Sequence, residues 1–139
     1  MSNKKIKSPA REKGKKINSP QEVIEKPPEQ QNPIFSLHYL DGDYCLTKCE
    51  TNDQATFARK IHKLSKFTWA KIQSDDRHSL GYERIPRHCL KVNIPKFLKE
   101  DANLIAFRFH GKKAMVGYRD RAVFYVIWLD RDFTLYDRS

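Results

Sequence analysis

The sequence predicts an α+β domain over residues 33–139, in which an N-terminal strand and two helices pack on a mostly antiparallel sheet closed by a three-strand C-terminal meander. Three observations indicate this fold: strand-like alternation through the last third of the chain, two stretches with helical spacing before it, and a shorter alternating stretch at residues 33–39. Two helices against one face of such a sheet make an α+β domain, and residues 33–139 suffice for one core.

The meander is predicted over residues 103–136. Ile105, Phe107 and Phe109 alternate with more polar positions, which is typical of a half-buried strand. Gly111 marks a turn that tolerates a left-handed residue. Residues 123–129 are apolar at every position, so this strand is predicted to be central and buried on both faces.

The first helix is predicted to follow Thr51, which forms a capping-box pattern with Gln54. Apolar residues then recur at helical spacing as a buried stripe, and basic residues fall mostly on the other side. The buried stripe comprises Phe57, Ala58, Ile61 and Leu64. A short second helix is predicted at residues 67–73, anchored by Trp69 and Ile72. The polar stretch 74–88 is predicted to be a long loop, and residues 89–94 a short edge strand.

The N-terminal 32 residues are predicted to be a disordered basic tail, since they contain few apolar side chains to offset the entropy of ordering the chain. The whole chain carries 27 Lys and Arg against 17 Asp and Glu, a formal net charge of +10. This excess predicts attraction to a polyanion, either nucleic acid or an acidic partner.

A cytoplasmic location with reduced thiols is predicted, because residues 1–16 are polar and Lys-rich and no run approaches the roughly 18 apolar residues of a membrane span. No membrane partner and no cofactor are expected. Cys45 and Cys49, with Cys89 beside His88, leave a zinc site as an alternative. Familiar zinc sites need two close pairs at defined spacing, so no metal site is predicted.

Three stretches carry a resemblance to a known family: Phe107-Arg108-Phe109, Gly117-Tyr118-Arg119, and the closing strand with its Asp-Arg pair followed by Tyr136. With the order of elements, they make residues 34–136 resemble the RelE/ParE toxin superfamily of bacterial toxin–antitoxin systems. The resemblance implies cleavage of messenger RNA, typically on the ribosome and without metal. Many ribonuclease members carry a His near the final Tyr, where this chain has Phe133. Members that poison DNA gyrase lack such a catalytic set.

The resemblance implies four catalytic candidates, which are Arg108, Arg119, Tyr136 and His110. If their strands are adjacent, the two arginines could reach one sheet face and clamp a phosphate, although cross-strand pairing with aspartates is the ordinary alternative. Tyr136 is a candidate acid or base-stacking platform, and Glu83 a further proton-transfer candidate. The predicted RNA-binding residues are Lys60, Lys63, Lys112, Lys113 and Arg131.

The sequence therefore predicts a toxin-like RNA-binding protein that acts as a metal-independent endoribonuclease. Its expected partners are RNA or the ribosome and a small antitoxin protein. The alternative is a non-catalytic module of the same fold that binds nucleic acid or a protein through its basic face.

Overall fold

The computed structural model describes residues 25–138, which form a five-stranded mixed sheet with two helices on one face. In chain order the elements are β1 (Ile34–Ser36), α1 (Thr51–Leu64), α2 (Trp69–Gln73), β2 (Glu83–Ile85), β3 (Leu104–His110), β4 (Lys113–Asp120) and β5 (Val123–Asp130). Across the sheet the strands run β1-β5-β4-β3-β2, with β1 parallel to β5 and every other neighbouring pair antiparallel. The predicted α+β class is confirmed.

Strands β3, β4 and β5 form the predicted C-terminal meander. Gly111 occupies the first turn with a φ of 60°, and Arg121 occupies the second with a φ of 57°. Strand β5 lies between β1 and β4, and its residues 126–130 are all buried. Gly117 sits where the β4–β5 register shifts, and an added Cβ there would lie 1.8 Å from the Tyr125 carbonyl oxygen. Only glycine permits this close approach of the two backbones.

Both faces of the sheet are covered, but by different kinds of structure. The helices cover one face, where Phe57, Leu64 and Trp69 pack with Phe107 and Phe124 in one buried cluster. The opposite face is covered by irregular segments that precede β3 and follow β5. Their side chains pack on the sheet in a second cluster, which includes Leu98, Leu135, Tyr136, Ala106, Val116 and Trp128.

The edge of the sheet differs from the prediction. Residues 89–94 form no strand and contribute a single bridge, between Leu90 and Tyr136. The edge strand is instead β2, inside the stretch predicted to be a loop, and it pairs with β3. With three residues it is too short to show an alternation, and β1 is equally short.

The first helix begins as predicted, but its N-cap is Glu50, which makes no side-chain capping bond. The Gln54 side-chain amide donates to the Cys49 carbonyl oxygen at 3.0 Å. Phe57 and Leu64 are buried and Ala58 is exposed, so the apolar stripe is narrower than predicted. Trp69 and Ile72 of α2 are fully buried, as the sequence predicts.

Residues 1–24 of the predicted tail lie outside the described residues. Residues 25–32, which the sequence assigns to the tail, are described and contact the rest of the domain. The Gln31 carbonyl oxygen accepts from the Trp69 amide at 3.0 Å, and Glu29 lies 3.6 Å from Arg119. No helix among the described residues is long and apolar enough to cross a membrane.

Candidate functional site

A cavity of about 710 Å³ opens on the sheet face opposite the helices, between strands β2 and β3 and the C-terminal segment. We call it the basic cavity, because five cationic side chains line it. These are Arg77, Arg84, Arg108, Lys112 and Arg138. The carboxylates of Glu83 and Asp137 also line it, so cations outnumber anions there. Such a concave cationic surface suits an anionic ligand.

Arg108 reaches the basic cavity from β3. Its guanidinium Nη1 lies 2.8 Å from the Nδ1 of His78. A guanidinium can only donate, so Nδ1 accepts and the His78 proton resides on Nε2. No carboxylate of the described chain lies within 4 Å of the nitrogens of Arg84, Arg108 or Lys112. These three charges are therefore free to meet a phosphate.

Tyr136 also lines the same cavity. The residue is only 4% exposed, and its buried hydroxyl oxygen has no hydrogen-bond partner within the described chain. Burial raises the pKa of Tyr136, while Arg138 and Arg108 oppose that rise in part. The phenol consequently stays protonated at neutral pH, as a donor without an acceptor. Such an orphaned buried donor is uncommon in folded proteins and points to a ligand.

The C-terminal wall of the cavity is built around Asp130, which is fully buried. Its Oδ1 accepts from the amides of Thr134 at 2.9 Å and Leu135 at 3.2 Å, and its Oδ2 lies 2.7 Å from Arg138 Nη2. Arg138 also donates to the Lys112 carbonyl oxygen at 2.8 Å. Asp130 thus neutralises Arg138 and fixes the segment that carries Tyr136.

The loop before β2 forms another wall and carries Arg77 and His78. Lys60 on α1 donates to the Ser79 carbonyl oxygen at 2.6 Å, which ties this loop to the helix. Burial lowers the pKa of Lys60. Arg77 Nη1 lies 2.9 Å from Glu83 Oε2 across the loop, so part of its charge is already paired. The long polar stretch noted in the sequence is therefore a built part of the cavity.

No family model, no curated protein and no solved structure matches the chain. The chemistry of the basic cavity is accordingly argued from its own residues.

The structure brings together two of the four predicted catalytic residues, Arg108 and Tyr136. Arg119 lies on the opposite sheet face, where its guanidinium stacks 4.2 Å from the Trp69 ring and donates to the Arg121 carbonyl oxygen. The two-arginine clamp is therefore not formed.

The register of β3 and β4 explains the separation of the two arginines. Ala106 pairs with Val116, and Arg108 pairs with Ala114. Directly opposed residues share a sheet face, so the apolar positions 105, 107 and 109 lie with 115 and 117, and not with 116 and 118. Arg119 belongs to the same alternating set as 115 and 117, whereas Arg108 lies with Ala114 on the other face. Arg119 is also five residues beyond Ala114 along the strand, or about 17 Å.

His110 lies outside the basic cavity. Its Nδ1 is 2.7 Å from Asp53 Oδ1 at the start of α1, and Lys113 Nζ lies 2.9 Å from Asp53 Oδ2. Asp53 is buried. Burial alone would raise the pKa of Asp53, but hydrogen bonds from Lys113 and His110 outweigh it and hold the pKa below the ordinary value of 3.8. This network connects the helix to the meander.

The Asp53 network gives a pH-dependent contribution to stability. The pKa of Asp53 is lower in the folded protein than in the unfolded chain, so the ionised carboxylate stabilises the fold above pH 3.8. This stabilisation is lost as the pH falls through the pKa of Asp53 in the folded protein. We expect Asp53→Asn to lower the free energy of unfolding by about 2 kcal/mol at pH 7, and this difference to shrink below pH 3.8. Denaturant titrations of both proteins from pH 7 to pH 2.5 measure it. A difference unchanged down to pH 2.5 would contradict this role.

Of the five predicted RNA-binding residues, only Lys112 lines the basic cavity. Lys63 is exposed on the outer side of α1. The other three bind partners within the domain. Lys60 donates to the Ser79 carbonyl oxygen, and Lys113 donates to the Asp53 carboxylate. Arg131 donates to the Asp43 carbonyl oxygen at 3.1 Å and lies 3.5 Å from the Asp132 carboxylate. Charge in the sequence does not distinguish a structural cation from one that faces a ligand.

Several residues that shape the cavity were not among the predicted ones. These are Arg77, His78, Arg84, Phe133 and Arg138. The available signal was the length and polarity of residues 74–88. The thiols of Cys45, Cys49 and Cys89 are unpaired, and no group of three or more His, Cys, Asp or Glu in residues 25–138 could hold a metal ion.

Proposed function

We propose that the protein is a RelE-like, toxin-type RNA-binding protein that cuts RNA without a metal ion. The observation that carries the proposal is the basic cavity, which is lined by Arg84, Arg108 and Lys112 together with Tyr136, whose buried hydroxyl has no partner within the described chain. Cations suit the RNA backbone, and a buried phenol that remains protonated suits a general acid.

The chemistry follows from these positions. The RNA 2′-hydroxyl attacks the adjacent phosphorus, so the O2′–P bond forms and the P–O5′ bond breaks, leaving a 2′,3′-cyclic phosphate and a free 5′-hydroxyl. Arg108 stabilises the charge that grows on the phosphoryl oxygens. Tyr136 gives its proton to the leaving 5′-oxygen. Glu83 lines the same cavity and accepts the 2′-proton.

The proposed function implies two binding partners, RNA and an antitoxin protein, and a location in the cell. The ligand is messenger RNA, free or on the ribosome, in the cytoplasm. A small antitoxin protein that covers the basic cavity would hold the protein inactive by occupying the same cations. The net charge of +10 favours an acidic partner for that purpose.

A non-catalytic module of the same fold is the second candidate, and two observations favour it. His110 is paired with Asp53 outside the cavity, and the carboxylate of Glu83 is already engaged in an ion pair with Arg77. In this case the basic cavity binds RNA backbone without cutting it.

One experiment separates the two functions. Purified protein is incubated with a single-stranded RNA oligonucleotide in excess EDTA, beside the all-2′-deoxy analogue of the same sequence. We expect the RNA to be cut to 2′,3′-cyclic phosphate ends and the analogue to bind uncut, because it lacks the attacking oxygen. Binding of both without cleavage would support the non-catalytic module. Absence of binding to either would contradict both functions.

A further inference from the structure

Phe133 is an exposed aromatic residue at the mouth of the basic cavity. It is 46% exposed, lines the cavity and has a φ of 61°. A bulky side chain seldom adopts this left-handed conformation, which costs free energy unless the surroundings impose it. The backbone conformation that presents this apolar ring beside cationic groups therefore lowers the stability of the fold.

The surroundings hold the ring in this position. Asp130 accepts the amide of Thr134, the next residue, and thereby fixes the turn. The Arg138 guanidinium lies 4.8 Å from the Phe133 ring centroid and is itself held by Asp130 and the Lys112 carbonyl oxygen. One side of the ring is thus supported by a fixed cation, and the exposed area remains free for a second planar group.

The other aromatic residue of the cavity cannot serve as a stacking platform. Tyr136 is buried, and the Arg138 guanidinium lies 4.5 Å from its ring centroid. Tyr136 lines the cavity, but its hydroxyl oxygen is buried and Arg138 covers a face of its ring. Of the two sequence-based roles for Tyr136, the acid is compatible with this burial and the platform is not.

We infer that Phe133 is the platform on which an unpaired base of single-stranded RNA stacks while Arg108 and Lys112 hold the neighbouring phosphates. The inference rests on the proposed function, since it specifies which form of RNA the basic cavity takes. Bases inside a duplex are already stacked on one another and cannot reach the ring, so the site selects single strands. Stacking is tolerant of sequence, because every base has a planar face.

A tryptophan at this position reports stacking directly. The native Trp69 and Trp128 are both fully buried, so a base that quenches fluorescence in Phe133→Trp does so at position 133. Phe97→Trp is the matched control, because Phe97 is similarly exposed at 41% but does not line the cavity. The probe is a 2′-O-methyl oligouridylate, which has no free 2′-hydroxyl and cannot be cut. A duplex and an abasic oligomer of equal length complete the set.

We expect the single-stranded probe to quench Phe133→Trp but not Phe97→Trp, and the duplex and abasic oligomers to quench neither. A second variant removes the ring without disturbing the turn, since glycine adopts a φ of 61° freely. Phe133→Gly should bind the single-stranded probe roughly tenfold more weakly, and the abasic oligomer as wild type does, with an unchanged or raised melting temperature.

The outcomes separate this inference from the proposed function. Binding of the single-stranded probe, followed by anisotropy of a terminal dye, without quenching at position 133 and without loss in Phe133→Gly would overturn the platform and leave RNA binding intact. Failure of the wild-type protein to bind any of the three oligomers would overturn both.

Discussion

On the proposed function, we expect replacement of Arg108 by alanine to lower the rate of RNA cleavage by about 100- to 1000-fold, the effect of removing one preorganised charge donor from a transition state. Arg108 reaches the basic cavity with no carboxylate of the described chain beside it, so its charge is available to the phosphoryl oxygens. Single-turnover cleavage of an RNA oligonucleotide measures the loss. The fold should be preserved, because Arg108 is half-buried and its one hydrogen bond is to the exposed His78.

Two arginine variants with the same change of charge serve as comparisons. Arg119→Ala should leave the cleavage rate within a few-fold of wild type but lower the free energy of unfolding by about 1–2 kcal/mol, because it removes the stack on Trp69 and the contact with Glu29. Arg59→Ala, on the exposed side of α1, should change neither quantity. Equal losses of cleavage at Arg108 and Arg119 would contradict the separation of these residues on two sheet faces.

The largest effect on stability is expected from Asp130→Ala, at about 3 kcal/mol. The change leaves the part-buried amide of Thr134 and the buried amide of Leu135 without an acceptor, and it leaves Arg138 without its counter-charge. Because the C-terminal wall depends on these bonds, cleavage should fall as well, even at temperatures where the variant is folded. Chemical denaturation measures the loss in the free energy of unfolding, and single-turnover RNA cleavage measures the loss in cleavage rate.

The neighbouring carboxylate provides the control for Asp130. Asp132 is exposed and meets only Arg131, at 3.5 Å, so Asp132→Ala should cost less than about 1 kcal/mol and leave cleavage unchanged. Similar losses for the two aspartates would show that Asp130 does not organise the wall.

The elements that the sequence predicted well are those with long, regular patterns. The meander has three strands of seven or eight residues, and Ile105, Phe107 and Phe109 show the alternation clearly. Helix α1, which carries the apolar stripe ending at Leu64, has 14 residues and so spans almost four turns. Strand β1 lies inside the alternating stretch 33–39 but has only three residues, and the three residues of β2 show no periodicity that predicts them.

The candidate site was only half predictable, because it depends on strand register. A shift of one residue between β3 and β4 would place Arg119 on the same sheet face as Arg108, and nothing local in the sequence fixes that choice. Arg138 and Arg77 are positioned at the cavity by their ion pairs with Asp130 and with Glu83 of β2, which composition does not reveal. The odd conformation of Phe133 has no sequence signal at all, since it arises in the turn held by Asp130.

The central claim is that the basic cavity, and not the basic side of α1, holds RNA phosphates. The most direct measurement is the salt dependence of single-stranded RNA binding by wild type, by Arg84→Gln/Arg108→Gln/Lys112→Gln, and by Arg59→Gln/Lys63→Gln/Lys66→Gln on the exposed helix side. Each variant loses three charges. Since each phosphate contact on a single strand adds about 0.7 to the slope of log affinity against log salt, the cavity variant should lose roughly 2 from that slope, and the helix variant almost nothing. Equal slopes for wild type and the cavity variant would contradict the account.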